Sequence, residues 1–212
     1  LDIPPGRPAG DPEVIVFVSG CTATVRRLWP EYGDVMGALR TPKGSYAHIE
    51  ELGMPWAADN GAFAGLDEAR FVKMLALLRG QRQAKFVAVP DVVGDHMATL
   101  AMWSAWRDRT AACGHPLAFV GQDGASVRSV PWDEMGSFFV GGSTEWKLSK
   151  EASLLCEEAK YRGLWVHVGR VNSRRRMQIA YGMGADSVDG TGMTRWGDVH
   201  LEKFCRWARD PK

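Results

Sequence analysis

The chain has 212 residues, 45% hydrophobic and 24% charged, with a formal net charge of +1. That length suits one domain, or two small ones, with a real buried core. The near-neutral balance excludes a basic nucleic-acid coat, so any grip on a polyanion has to come from a local patch.

No apolar run is long enough to span a bilayer. There is no signal-peptide pattern, so the expectation is a cytoplasmic protein with no membrane partner. Residues 1–13 are rich in proline and glycine and read as a flexible arm ahead of a single domain over 14–212. Cys21, Cys113, Cys156 and Cys205 are scattered, with no C-x-x-C or C-x-C pair. That argues for reduced, buried thiols and against a thiolate zinc site.

In chain order, apolar β-branched runs alternate with helix-like stretches. Val14–Val18 predicts a first strand and Thr22–Tyr32 a helix that stops at Gly33. A weaker strand over Val35–Arg40 precedes a short helix capped by Ser45, and Pro55–Asp59 is a third strand. Leu66–Arg79 places Phe71, Met74, Leu75 and Leu78 on one helical face. Phe86–Asp91 is the fourth strand, and Asp95 caps a helix running to about Cys113. Leu117–Gln122 is the fifth strand, Trp132–Met135 a helical turn and Phe138–Gly141 the sixth strand. Ser149 opens the next helix, Leu164–Val168 is the seventh strand and Ser173 caps a further helix. Ala185–Asp189 is the eighth strand, and Val199–Ala208 closes the chain as a helix. Trp103, Trp106, Met74, Met97, Met102 and Met177 read as core packing.

Eight strands alternating with helices predict parallel pairing. Uniformly apolar strands fit a sheet covered on both faces. The fold expected is a compact α/β (β/α)8 TIM barrel, an architecture of about 200 residues or more. An open doubly wound sheet is the structural competitor, but no G-x-G-x-x-G turn follows the first strand.

Active sites of such barrels lie at the C-terminal ends of the strands. The residues there are Asp59-Asn60-Gly61, Asp91, Gln122-Asp123-Gly124, Gly141-Gly142-Ser143, His167 with Arg170, and Asp189-Gly190-Thr191-Gly192. Turn chemistry alone explains any one Asp-Gly or Asn-Gly pair. It does not explain so many at the same edge. Carboxylates gathered there suit either magnesium binding or attack at a sugar carbon. Gln122 and exposed glycine backbone, able to meet the edge of a planar base, favour the sugar chemistry.

Asp59-Asn60-Gly61-Ala62-Phe63 resembles the D-S-G-G-F motif of the tRNA-guanine transglycosylases. Val120-Gly121-Gln122 is similar to their V-Q-G-G segment, and Gly141-Gly142 to the start of G-G-L-A-V-G-E. Gly184-Ala185-Asp186-Ser187-Val188-Asp189 followed by Thr194-Arg195 resembles G-x-D-x-x-D-x-x-x-x-T-R. The resemblance implies Asp189 as nucleophile and Asp59 as general base. It implies base binding by Asp91, Gln122 and Gly142, with Gly141, His167 and Gly169 lining the same pocket. The family's C-x-C-x-x-C zinc motif is missing, and Lys147 stands at the glutamate of G-G-L-A-V-G-E. A barrel without a zinc subdomain resembles the DpdA-type branch of phages and bacterial DNA-modification clusters, which insert 7-deazaguanine bases into DNA.

The implied activity is a glycosyltransferase that exchanges guanine in duplex DNA for a preQ0-like 7-deazaguanine through a covalent aspartyl-sugar intermediate. It would work in the cytoplasm, that of the host if phage-encoded, and needs no cofactor or metal. Arg170, Arg174, Arg195 and Lys147 are the expected phosphate contacts. Trp146 and Trp196 are candidates for base stacking. A homo-oligomer or partner modification proteins stay open. So do three rivals: a tRNA-directed enzyme, a metal-dependent barrel hydrolase and a non-catalytic nucleic-acid-binding barrel.

Overall fold

The computed structural model describes residues 14–20, 22–44, 47–190, 192 and 198–211. The N-terminal arm, Cys21, Ser45, Thr194, Arg195 and Trp196 lie outside them. The strands are β1 (Ile15–Val18), β2 (Met36–Arg40), β3 (Trp56–Ala58), β4 (Ala84–Ala88), β5 (Leu117–Gly121), β6 (Ser137–Val140), β7 (Trp165–Val168) and β8 (Ser187–Asp189). All neighbours pair in parallel, and β1 pairs with both β2 and β8, so the sheet closes into a barrel. The helices are α1 (Thr22–Tyr32), α2 (Ala47–Leu52), α3 (Glu68–Leu78), α4 (His96–Ala111), α5 (Thr144–Lys147), α6 (Lys150–Tyr161), α7 (Arg174–Gly182) and α8 (Asp198–Arg209). The fold is the (β/α)8 barrel expected from the alternation of elements.

Helix starts follow local chemistry. Asp95 accepts from the amide of Ala98 at 2.9 Å, and Ser149 and Ser173 accept from Ala152 and Arg176 at 3.3 Å. Each satisfies an amide that the first turn leaves without a partner. Most strand ends shift by one or two residues from expectation, and two departures bear on the site. The fourth strand ends at Ala88, short of Asp91, because Pro90 has no amide proton for the ladder. The one-turn helix α5 has no counterpart among the elements expected from sequence, and Ser143 caps it by accepting from the Trp146 amide.

Apolar side chains form two layers. Phe71, Trp103, Trp106, Met74 and Met177 pack between strands and helices. Met102 packs against this layer from a partly buried position, but Met97 is exposed and is no core filler. Inside the barrel, Phe17, Leu39, Phe86, Val120 and Phe139 form a second cluster. Phe17 meets Phe86 edge-on at 6.1 Å, and Phe86 meets Phe139 at 6.0 Å. A side chain at Gly37 would run into the Phe17 ring, so that strand position takes only glycine. The lower barrel is therefore solid, and free space begins only at the C-terminal ends of the strands. Cys113, Cys156 and Cys205 are free and buried. No described helix is long and apolar enough to cross a membrane.

Candidate active site

A cavity of about 340 Å³ opens on top of the aromatic plug. Its wall includes Asp59, Asp91, Gln122, Lys147, Arg170 and Asp189, drawn from six different strand ends or the loops after them. Gly141, Gly142 and Gly169 line it too. The structure thus brings together most of the residues singled out in the sequence.

Asp189 ends β8 and is held from two sides. Its Oδ1 accepts from the Arg170 amide at 2.9 Å, and its Oδ2 lies 3.1 Å from His167 Nε2. Arg170 takes a left-handed backbone conformation (φ 58°), rare for a residue with a side chain, and this turn aims its amide at Asp189.

His167 is fully buried beneath Asp189 and does not line the cavity. Its ring packs on Phe139 at 4.4 Å and Phe86 at 5.1 Å. Ser187 Oγ accepts from the Trp165 indole at 2.9 Å and sits 2.8 Å from His167 Nδ1. An indole N–H can only donate, and Nδ1 is the acceptor within reach of the Ser187 hydroxyl proton. The chain therefore runs one way: Trp165 donates to Ser187, Ser187 to His167 Nδ1, and His167 Nε2–H to Asp189.

The two key carboxyls are driven apart. Burial pushes Asp189 up, but the His167 hydrogen bond, the Arg170 amide and the Lys147 charge outweigh it and hold the carboxyl below its ordinary range. Burial pushes Asp59 up, the Gly61 amide opposes this, and the nearby Asp189 charge adds to it, so Asp59 ends above its ordinary range. The two carboxyls are thus shifted in opposite directions in the same cavity, the kind of separation by which acid and nucleophile roles are usually divided.

Asp91 sits across the cavity with both oxygens bound. Asn60 Nδ2 donates to Oδ1 at 2.7 Å and Gln122 Nε2 to Oδ2 at 2.6 Å. Burial nevertheless raises its pKa to about 6. Asn60 was legible only as a turn residue, yet it also donates to Val89 O at 2.9 Å and so ties β3 to β4 beneath Asp91. The Gln122 amide is oriented by its neighbours, its Oε1 accepting from Gly94 and Gly142 amides at 2.8 Å each. The Gly142 amide is thus already engaged, and one Gln122 Nε2 proton is left for a ligand. A side chain at Gly141 would come within 2.7 Å of Gln122 Nε2, so glycine there keeps the wall open.

Lys147 is 1% exposed and its Nζ donates to Gly169 O at 2.7 Å. Burial, and then the Arg170 charge, lower its pKa to about 7. It reaches inward because Asp123 accepts from the amide and hydroxyl of Ser143 at 2.7 and 2.6 Å, fixing the start of α5. Lys147 can meet only a group that enters the cavity, whereas Arg174 is exposed at the start of α7 on the rim. Arg170 donates to Gly142 O and lies 4.8 Å from the ring of Phe63. Phe63 is 71% exposed at the mouth, and sequence reasoning assigned it no role. Trp146 is partly buried against the outer core rather than presented to the mouth. Arg195 and Trp196 are outside the described residues. Among the described residues no group of three or more His, Cys, Asp or Glu could hold a metal ion.

Fold and site together define a (β/α)8 barrel with an acidic and amide-lined mouth. No protein-family model matches the chain, and no curated protein sequence matches it. Among solved structures, a chain in the crystal structure of the Amycolatopsis orientalis BexX/CysO complex is similar. The match has a TM-score of 0.60 and 16% identity, covering 99% of this chain and 94% of that one. At that identity the likeness is one of fold.

Proposed function

We propose that the protein exchanges guanine in DNA for a 7-deazaguanine base, with Asp189 as nucleophile and Asp59 as acid and base. The observation that carries this reading is the opposite displacement of two carboxyls at one cavity. Asp189 is held below the ordinary carboxylate range and Asp59 above it.

A nucleotide flipped out of the duplex would place its base in the cavity, since the glycosidic bond of a stacked base is out of reach. Asp91 faces the two donors of the guanine Watson-Crick edge, and the remaining Gln122 Nε2 proton meets the base carbonyl. An Asp189 oxygen attacks C1′, the C1′–N9 bond breaks, and its electron pair leaves with the base. Asp59 supplies the proton that neutralises departing guanine. The incoming 7-deazaguanine returns a proton from N9 to Asp59, and N9 displaces Asp189 from C1′. Bonds and protons balance without any redox step. The sugar passes through an oxocarbenium-like state that the surrounding carboxylates stabilise. Arg174 on the rim is suited to a backbone phosphate.

The test is entry of radiolabelled guanine into duplex DNA or tRNA, offered in parallel, with Asp189→Asn as control. Label entering DNA and lost in the variant supports the reading. Label entering tRNA keeps the chemistry and changes the substrate. No label in either, with the fold intact, overturns it.

A further inference from the structure

We propose that Lys147 is a second nucleophile of this cavity, whose amine forms an imine with the C1′ aldehyde of an abasic deoxyribose in DNA. The substrate class rests on the base-exchange reading, and the reaction adds an activity to it.

The substrate arises from the proposed exchange itself. An aspartyl-sugar that meets water before it meets a base loses its C1′–oxygen bond to Asp189 and gains a hydroxyl at C1′. That sugar is a hemiacetal, and its open form carries an aldehyde at C1′. The aldehyde then stands in the cavity on a strand that has lost a base.

Lys147 is placed to meet it. Among the described residues it is the only lysine on the cavity wall. One peptide group links it to Asp189. The Gly169 carbonyl accepts from Lys147 Nζ at 2.7 Å, and the amide of that same peptide, on Arg170, donates to Asp189 Oδ1 at 2.9 Å. With ordinary peptide dimensions, Nζ therefore lies within about 8 Å of Asp189 Oδ1. Opening of the sugar ring frees C1′ to swing away from Asp189, and the flexible four-carbon stem of lysine lets the amine come toward it.

The charges around Lys147 suit an amine that has to shed its proton. Burial lowers its pKa, as do the Arg170 and Arg176 charges, while the Asp189 and Asp123 charges pull the other way, and the balance stands at about 7. About half of the amine is then free base at neutral pH, against about one part in 2500 for an ordinary lysine. The neutral amine adds to the aldehyde carbon and gives a carbinolamine. Asp59, on the same cavity wall and held above its ordinary range, gives a proton to the departing hydroxyl, and one water leaves. The protonated imine that remains faces the Asp59 and Asp189 carboxylates.

The experiment incubates the full chain with a duplex oligonucleotide carrying one abasic site, under sodium cyanoborohydride, which reduces an imine to a stable amine. Denaturing gels measure the cross-linked chain, and peptide mass spectrometry locates the adduct. Lys147 should carry it, at an initial rate at least about 100-fold above exposed lysines such as Lys73 and Lys150. Trapping should rise with pH through a midpoint of about 7. Lys147→Arg keeps a cation but stays protonated, and should lose trapping by a similar factor. An intact duplex should give no adduct. An adduct spread over exposed lysines, or a midpoint of about 10, overturns the inference from the wild-type protein alone. Undiminished trapping by Lys147→Arg also overturns it and leaves Lys147 as a brace for the Gly169–Arg170 peptide. Trapping at Lys147 without entry of labelled guanine into DNA keeps the imine and sinks the base exchange. Entry of label without trapping does the reverse.

Discussion

Replacing His167 with phenylalanine keeps a flat ring among Phe17, Phe86 and Phe139 but removes the proton given to Asp189. The effect on Asp189 follows from the geometry. A hydrogen bond to a charged group is worth about 1.5–3 kcal/mol, and one pH unit corresponds to about 1.4 kcal/mol. The Asp189 pKa should therefore rise, because burial, which pushes it up, is no longer opposed from below. The carboxyl carbon resonance of Asp189, followed through an acid titration, reads this directly and does not depend on turnover. The proposed exchange reaction should lose its low-pH range in the same variant. Ser187→Ala tests the relay one step earlier. It removes the proton that occupies Nδ1 and should loosen the His167 ring, giving a smaller shift in the same direction. If the Asp189 midpoint stays in place in His167→Phe, the buttressing argument is wrong and the ring only fills space.

Asp91, with a pKa raised from 3.8 to about 6, holds a proton in the folded chain that the unfolded chain releases at lower pH. Its contribution to stability is therefore full below the ordinary carboxylate range and is lost as pH rises through about 6. The loss is at most about 3 kcal/mol, and urea melts should show Asp91→Asn with a flatter stability profile over that window. Gly37→Ala should lower the melting temperature through a loss of about 1–3 kcal/mol, as the added methyl meets the Phe17 ring. Thermal melts read it, and an unchanged midpoint would mean the barrel interior yields more than its packing implies. Asp95→Ala removes the acceptor for the Ala98 amide and should cost about 1 kcal/mol in a chemical melt while leaving the cavity ligands in place.

The positions of the loops carrying Asp59, Asp91, Gln122 and Asp189 were legible because a strand ending in an acid or amide beside glycine marks the same edge of every βα unit. The roles within the site were less so. His167 stood with the pocket residues, but it lies under Asp189. Lys147 stood with the phosphate contacts, but it points into the cavity from a one-turn helix too short to leave a periodic signal. Asn60 looked like turn chemistry, although it anchors Asp91.

The physical reason lies in barrel closure. The β/α alternation, the capping residues and the chemistry at the strand ends are local, so the order of residues alone determined them. In a closed parallel barrel both faces of each strand are buried, and the apolar pattern carries no mark of inside against outside. Which side chains plug the barrel, which line the space above it, and which way each carboxyl is shifted depend on groups far apart in the chain. His167 meets Asp189 across 22 positions, and Asn60 and Gln122 each meet Asp91 across 31. Only the tertiary structure brings these groups within reach of one another, and their unequal hydrogen bonds and neighbouring charges shift two chemically identical, buried aspartates in opposite directions.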